Sequence, residues 1–359
     1  MIGLRIGLAL FATGGLFCQQ TDQQAESDLR VGIALTKEGR FQQAVPHFLS
    51  ARGHVAETFA VEFNLALCYV GTREFKQAIQ ILTHLADGKP SAEVDNLLAQ
   101  ALIGDGQQEP ALQAFLNAAE LTPKNEKLYL LVSEACMDEG FHELGIQVLE
   151  IGLRNLPESA RLHFERGLFR SQMDERDLAN QDFELAQKLS PGSNIAYIAA
   201  AQQAFLSGDV QKVIRTAREG ISRGHTHYLL LTMLGEALLR AGATPGTPDE
   251  FREAQEALEK AVAAQPGYSS AHIALGRIYL ARERIEEAIA QLESAKQLDP
   301  RNRAVYTALA NAYRRAGQAG KSREALAVLA ELNRQEAGRI GSASGGHAGY
   351  AGGRDKPPR

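Results

Sequence analysis

A small residue returns along this chain at an almost fixed interval: Ala44, Ala78, Ala111, Gly145, Ala179, Val213, Ala254, Ala288 and Ser322. The steps are 34, 33, 34, 34, 34, 41, 34 and 34 residues. A period of this size marks a stacked array of helical units, each burying its apolar face against its neighbours. In such an array one elongated domain can have any length, so 359 residues need not mean two ordinary globular domains.

Composition agrees with helices packed closely. Tryptophan is absent, while Ala, Leu and Gln recur throughout. The 38 basic and 43 acidic residues leave a formal net charge of −5, which gives no overall electrostatic footprint for nucleic acid. Cys18, Cys68 and Cys136 make no disulfide framework. In the repeat register Cys68 and Cys136 fall on first helices as small buried apolar residues, and a bridge between them would have to cross two repeats.

Within each period the same residue types recur. One unit carries Leu275, Gly276, Tyr279, Ala288, Leu292, Ala295 and Pro300; another carries Val31, Gly32, Phe41, Ala44, Phe48 and Ala51; a third carries Leu65, Ala66, Tyr69, Phe75, Ala78 and Pro90. Prolines 123, 157, 191 and 266 hold the place of Pro300. A large residue at position 4, small residues at 8 and 20, a large apolar residue at 24, Ala at 27 and Pro at 32 resemble the tetratricopeptide repeat. The resemblance covers about Ala25 to Arg334. It implies an all-α, right-handed superhelix (a solenoid) of about nine antiparallel hairpins. The units are 25–58, 59–91, 92–125, 126–159, 160–193, 194–227, 228–268, 269–302 and 303–335.

Gly39, Gly106, Gly140, Gly208, Gly242 and Gly317 fall at the turn between paired helices, where a left-handed residue commonly ends the first. The terminal proline stops the second. Some units depart from the pattern. Gly145 and Val213 replace Ala, and His225 stands where a proline is expected. The seventh unit holds a seven-residue insert, 243–249, in which Thr247, Pro248 and Glu250 read as a capped helix start. A tolerated surface loop and a small added rim contact for a partner both account for the insert.

The array is flanked by two segments of other character. Residues 1–18 read as a signal peptide or lipoprotein signal, with Arg5 followed by an apolar run from Ile6 to Phe17. That run is short for a membrane span. Export follows from this reading, and a cytoplasmic protein with a hydrophobic first helix is the alternative. Cys18 stands where a lipid-acceptor cysteine would stand, although Leu16 is one place late and Phe17 is bulky for such a signal. A lipid there would be the protein's route to a membrane. Residues 19–24 read as a short polar linker, and 336–359 as a disordered Gly-rich tail.

No chemical motif survives inspection, so the chain reads as non-enzymatic, with no cofactor and no metal. Ala316 to Ser322 suggests a phosphate loop, but Arg315 stands where its first glycine belongs, and the segment follows a helix. His225 and His227 lack further ligands nearby in sequence. No Ser-His-Asp or Cys-His set is brought together by the repeat geometry.

The resemblance implies that first helices line a concave groove through positions 2, 5, 9, 12 and 13. Those positions hold Phe164, Leu168, Ile198, Gln202 and Phe205, an apolar stretch suited to contact. Farther on they hold Arg240, Arg277, Asn311, Arg314 and Arg315, which suit a carboxylate-rich segment or a chain terminus. Burial against neighbouring units and ordinary solvated charge, with Glu236 lying among the arginines, are the plainer readings. The Lys and Asn clamp of the chaperone-binding branch is absent from every unit. The expected partners are proteins or peptides rather than nucleic acid. The expected role is an interaction scaffold or adaptor, or an accessory lipoprotein of envelope assembly or secretion.

Overall fold

The computed structural model describes the backbone of residues 11–88 and 90–345, and side chains within 23–335. Residues 1–10, the Cys18 side chain and residues 346–359 lie outside it, and with them most of the leader and tail expectations. Among the described residues there are eighteen helices and no strand. The chain divides into two compact units, Met1–Leu189 and Ser190–Arg359.

The first unit contains the hairpins α1 (Phe11–Lys37) and α2 (Phe41–Ala51), α3 (Thr58–Gly71) and α4 (Phe75–Ala86), and α5 (Ala92–Gly104) and α6 (Gln108–Leu121). It ends with α7 (Glu126–Glu139) and α8 (His142–Asn155), then α9 (Ala160–Gln172) and α10 (Arg176–Leu189). The second contains α11 (Asn194–Leu206) and α12 (Val210–Ser222), α13 (Tyr228–Arg240) and α14 (Pro248–Ala264), α15 (Ser269–Ala281) and α16 (Ile285–Leu298), and α17 (Arg303–Arg315) and α18 (Ala319–Gly345). The backbone at 19–24 is part of α1, and α18 continues through Gly345.

Each hairpin closes in the same way. At the turn inside each of the nine hairpins one residue holds a left-handed backbone: the six glycines expected there, with φ between +72° and +98°, and Arg73, Asp174 and Glu283, with φ of +63°, +61° and +61°. The following N–H then reaches back to close the helix, as in Phe141 N to Cys136 O at 2.8 Å and Arg284 N to Tyr279 O at 2.9 Å. This is the geometry that satisfies the last carbonyls of a helix. The sequence does not announce the turn where Arg, Asp and Glu replace Gly, yet the backbone is the same.

The small residues do what their spacing implies. A Cβ on Gly32 would lie 2.9 Å from the Phe48 ring, one on Gly167 2.7 Å from Phe183, and one on Gly276 2.7 Å from Leu292. Position 8 is therefore small because the large residue at position 24 occupies its space. Ala44, Ala78, Ala179, Ala254 and Ala288 are fully buried. The departures have local causes. Phe169 fills the room a side chain on Gly145 would need. Ser322 is buried and donates to Ala310 O at 2.8 Å. His225, in place of a proline, sets its ring 5.1 Å from that of Tyr197.

Joints between repeats are tied by a device not read from the sequence. The residue at position 4 reaches the carbonyl of the preceding proline: Tyr129 OH donates to Pro123 O at 2.8 Å and Tyr306 OH to Pro300 O at 2.8 Å. His163 Nε2 lies 3.2 Å from Pro157 O, and His272 Nε2 2.9 Å from Pro266 O. Ser91, Ser159 and Ser193 cap the first helices that follow them. The helix start in the insert is different from the expectation. Thr247 makes no side-chain cap to α14. Its hydroxyl turns back, accepting from Thr244 N at 2.9 Å and donating to Thr244 O at 3.1 Å. The hydroxyl closes the turn inside the insert instead.

Candidate functional site

In the second unit the first helices touch one another in sequence, α11 to α13, α13 to α15 and α15 to α17. Among the described residues no such contact joins α12, α14, α16 and α18. Close first helices and splayed second helices put the first helices on the inner side of the bend. Residues of α11, α13, α15 and α17 left uncovered by the core therefore form the inner face of this unit.

That face is basic and partly aromatic. Arg240, Arg277, Asn311 and Arg314 are exposed on it, and Gln202 and Phe205 are half-buried. The Arg240 guanidinium lies over the Phe205 ring at 4.2 Å, a cation–π contact that fixes an otherwise mobile side chain. Arg314 Nη2 donates to Asn311 Oδ1 at 2.8 Å. Arg315 is differently used: its Nη1 donates to Leu280 O at 2.6 Å and its Nη2 lies 3.9 Å from Glu283. It straps α17 to the end of α15 and is committed within the fold.

A cavity of about 310 Å³ opens on this face, lined by Glu236, Leu239, Arg240 and Arg277. Burial pushes the Glu236 carboxyl up from the usual carboxylate range, while Arg240 and Arg277 pull it down. Tyr268 stands nearby, its hydroxyl also raised by burial and by the Glu236 charge, and its ring 5.0 Å from that of Tyr228.

The apolar residues expected to line a groove are placed otherwise. Phe164 and Ile198 are each 2% exposed and belong to the core. Phe164 packs on Phe183 with ring centroids 5.7 Å apart. Phe164 is thus covered from within its own repeat, which the pattern along one helix does not reveal. Leu168 is half-buried on α9, in the first unit. The second-unit residues alone are brought together here.

Two charged features of the first unit were missed. Asp182, 1% exposed, accepts from Arg166 Nε at 3.0 Å and Nη2 at 2.7 Å, and from Arg170 Nη1 at 2.8 Å. His163 Nδ1 adds a contact at 3.1 Å. Burial works to raise this carboxyl, but the His163 and Arg166 hydrogen bonds and the two guanidinium charges outweigh it and hold it below the usual range. The only signal was Arg at 166 and 170, one turn apart. Glu165, on α9, is pushed up to about 7 by burial, with Arg161 opposing and Glu134 adding to the shift.

The residues considered for chemistry have structural occupations. Cys68 and Cys136 are free and buried, and Thr36 Oγ1 lies 3.3 Å from Cys68 Sγ. His227 caps α13 by accepting from Leu229 N at 3.3 Å. Among the described residues no group of three or more His, Cys, Asp or Glu could hold a metal ion, and no helix is long and apolar enough to cross a membrane.

Comparison with known proteins agrees with this architecture. A family model described as "Tetratricopeptide repeat" matches residues 35–101 and 249–306. The chain is 30% identical over 69 residues to Intraflagellar transport protein 70A of Xenopus laevis, covering 19% of this chain and 10% of that protein. It thus spans a tenth of that relative's length. Its fold is similar to the crystal structure of the APC/C hetero-tetramer Cut9-Hcn1, at 16% identity and a TM-score of 0.51, over 88% of this chain and 66% of that one. A structure of a tetratricopeptide repeat protein from Parabacteroides merdae aligns at 17% identity and a TM-score of 0.49, over 69% of this chain and 96% of that one.

Proposed function

We propose that this chain, residues 35–101 and 249–306 of which match the tetratricopeptide-repeat family model, is a non-enzymatic scaffold holding an extended, acidic protein segment against the inner face of its second unit. Proteins of this fold are in general protein–protein interaction scaffolds. The observation that carries the reading is the row of exposed cations Arg240, Arg277 and Arg314, one on each of three successive first helices. Extended backbone advances about 3.3 Å per residue, so a short segment passes three helices packed roughly 10 Å apart. Guanidinium groups suit carboxylates because they can offer two parallel N–H donors. Phe205, with Arg240 over it, supplies the apolar contact.

The test is a titration of a labelled ten-residue poly-aspartate peptide against the protein and its Arg277→Glu, Arg314→Glu double variant. The reading expects at least about a tenfold loss of affinity at low salt and a flatter salt dependence in the variant. Equal affinity with equal salt dependence would reject it.

The proposal extends to location. The apolar run from Ile6 to Phe17 supports export. The narrower role of an accessory lipoprotein in envelope assembly or secretion requires a lipid on Cys18. Mass spectrometry of the mature N-terminus decides that point: an acylated Cys18 favours the role, and a product retaining Met1 removes it.

A further inference from the structure

Glu236 is out of place in a site for anions. It lines the same cavity as Arg240 and Arg277, and both guanidinium charges act on it. In the unbound protein its carboxylate offsets part of their charge. A second carboxylate entering a cavity of about 310 Å³ must come close to the first. Two carboxylates that share one site do not both remain ionised at low cost, and one takes a proton.

Building on the reading of this face as an acidic-segment site, we propose that the cavity between α13 and α15 is the seat of one partner carboxylate and that Glu236 takes up a proton as it binds. Protonated, Glu236 ceases to compete for Arg240 and Arg277, and its O–H becomes a donor toward the incoming oxygen. The ionised residue thus holds the site against acidic segments, and the proton releases it. The surroundings favour this outcome, because burial already draws the Glu236 carboxyl upward against the pull of the arginines.

The groups facing Glu236 are few. Its own helix brings Arg240 and, at its start, Tyr228 and the capping His227; α15 brings Arg277, with Tyr268 just before it, while His272 of α15 is turned to Gln291 and Pro266. The neighbouring α11 carries Tyr197 as its titratable residue, and no charged one. α12 and α14 engage α13 through Leu230 and Gly235. Burial and the Glu236 charge hold the Tyr268 hydroxyl above its ordinary range, so between pH 6 and 8.5 the proton exchanged at this cavity is that of Glu236.

The poly-aspartate peptide is a suitable probe because its carboxyls stay ionised across that range. Its affinity for the protein should fall as pH rises from 6 to 8.5, approaching a tenfold loss per pH unit at the upper end, the limit for one linked proton. Glu236→Gln, which keeps the side-chain shape, should bind about tenfold more tightly than the parent at pH 8 and show a flat profile. Calorimetric titration in buffers of different ionisation enthalpy should report proton uptake by the parent and none by the variant. Binding that is independent of pH, or a Glu236→Gln variant with the parent's profile, overturns the proton-linked seat and leaves the basic face intact. No peptide binding by the parent at any pH overturns the face itself, and the seat with it.

Discussion

At the scale of single residues, the chain carries two kinds of local cost. Three turns place a side chain on left-handed backbone, and for residues other than Gly that conformation costs about 1–2 kcal/mol. Glu283, whose side chain is mostly exposed and 3.9 Å from Arg315, has little to offset it. Glu283→Gly should raise stability by about 0.5–1 kcal/mol after the added freedom of the unfolded chain is counted, read as a higher urea midpoint. The second cost is the carboxyl of half-buried Glu165, pushed up to about 7 by desolvation. A raised folded value means that the folded state binds the proton more tightly, so stability falls as pH rises from the unfolded value near 4.5 to about 7. Glu165→Gln should match the parent at pH 4 and exceed it by about 1–2 kcal/mol at pH 8, allowing for screening of a half-buried group. A constant difference across that range would contradict the assignment. Asp182 runs the other way: its lowered value gives stability that is present above the unfolded pKa and lost as pH falls.

At the scale of helices, the pairing within a repeat depends on what two facing positions hold. Ala78 is fully buried between helices, and Ala78→Leu should overpack that contact at a cost of about 1–3 kcal/mol in thermal or urea unfolding. Asp182 locks α9 to α10 by serving both Arg166 and Arg170. Asp182→Ala should cost about 3–5 kcal/mol, because it leaves two half-buried guanidinium groups without their carboxylate. These contacts differ in how visible they were. The packing of position 8 on position 24, as in Gly167 on Phe183, is written in residue size at a fixed spacing and was legible. The turns at Arg73, Asp174 and Glu283 were legible only through the period, since their residue types signal nothing. The Asp182 cluster was not legible, because it joins charges 12 and 16 residues apart across two helices, and a surface would carry the same residues. Thr247 carried a capping signal that the fold used otherwise, its hydroxyl having found Thr244 closer to hand.

At the scale of the whole molecule, the period established the class of fold but not its division. The interval runs unbroken from Asp174 to Gly208 across the boundary between Leu189 and Ser190, so nothing in it marked two units. The candidate site was legible in kind more than in membership. Position in the repeat selected Arg240, Arg277 and Arg314, which are exposed, and also Phe164 and Ile198, which the core absorbs. It selected Arg315 as well, which a carbonyl two helices earlier in the chain engages. Each of these outcomes depends on neighbours in space that a linear register does not name. The central claim is that an acidic segment lies along the first helices of the second unit. It is tested most directly by placing a photo-crosslinking residue at Asn311, on that face, or at Ala290, exposed on the second helix α16. With the poly-aspartate peptide present, illumination should attach it at Asn311 and not at Ala290, and excess salt should abolish the product. Equal labelling at both positions, or labelling at Ala290 alone, would contradict the claim.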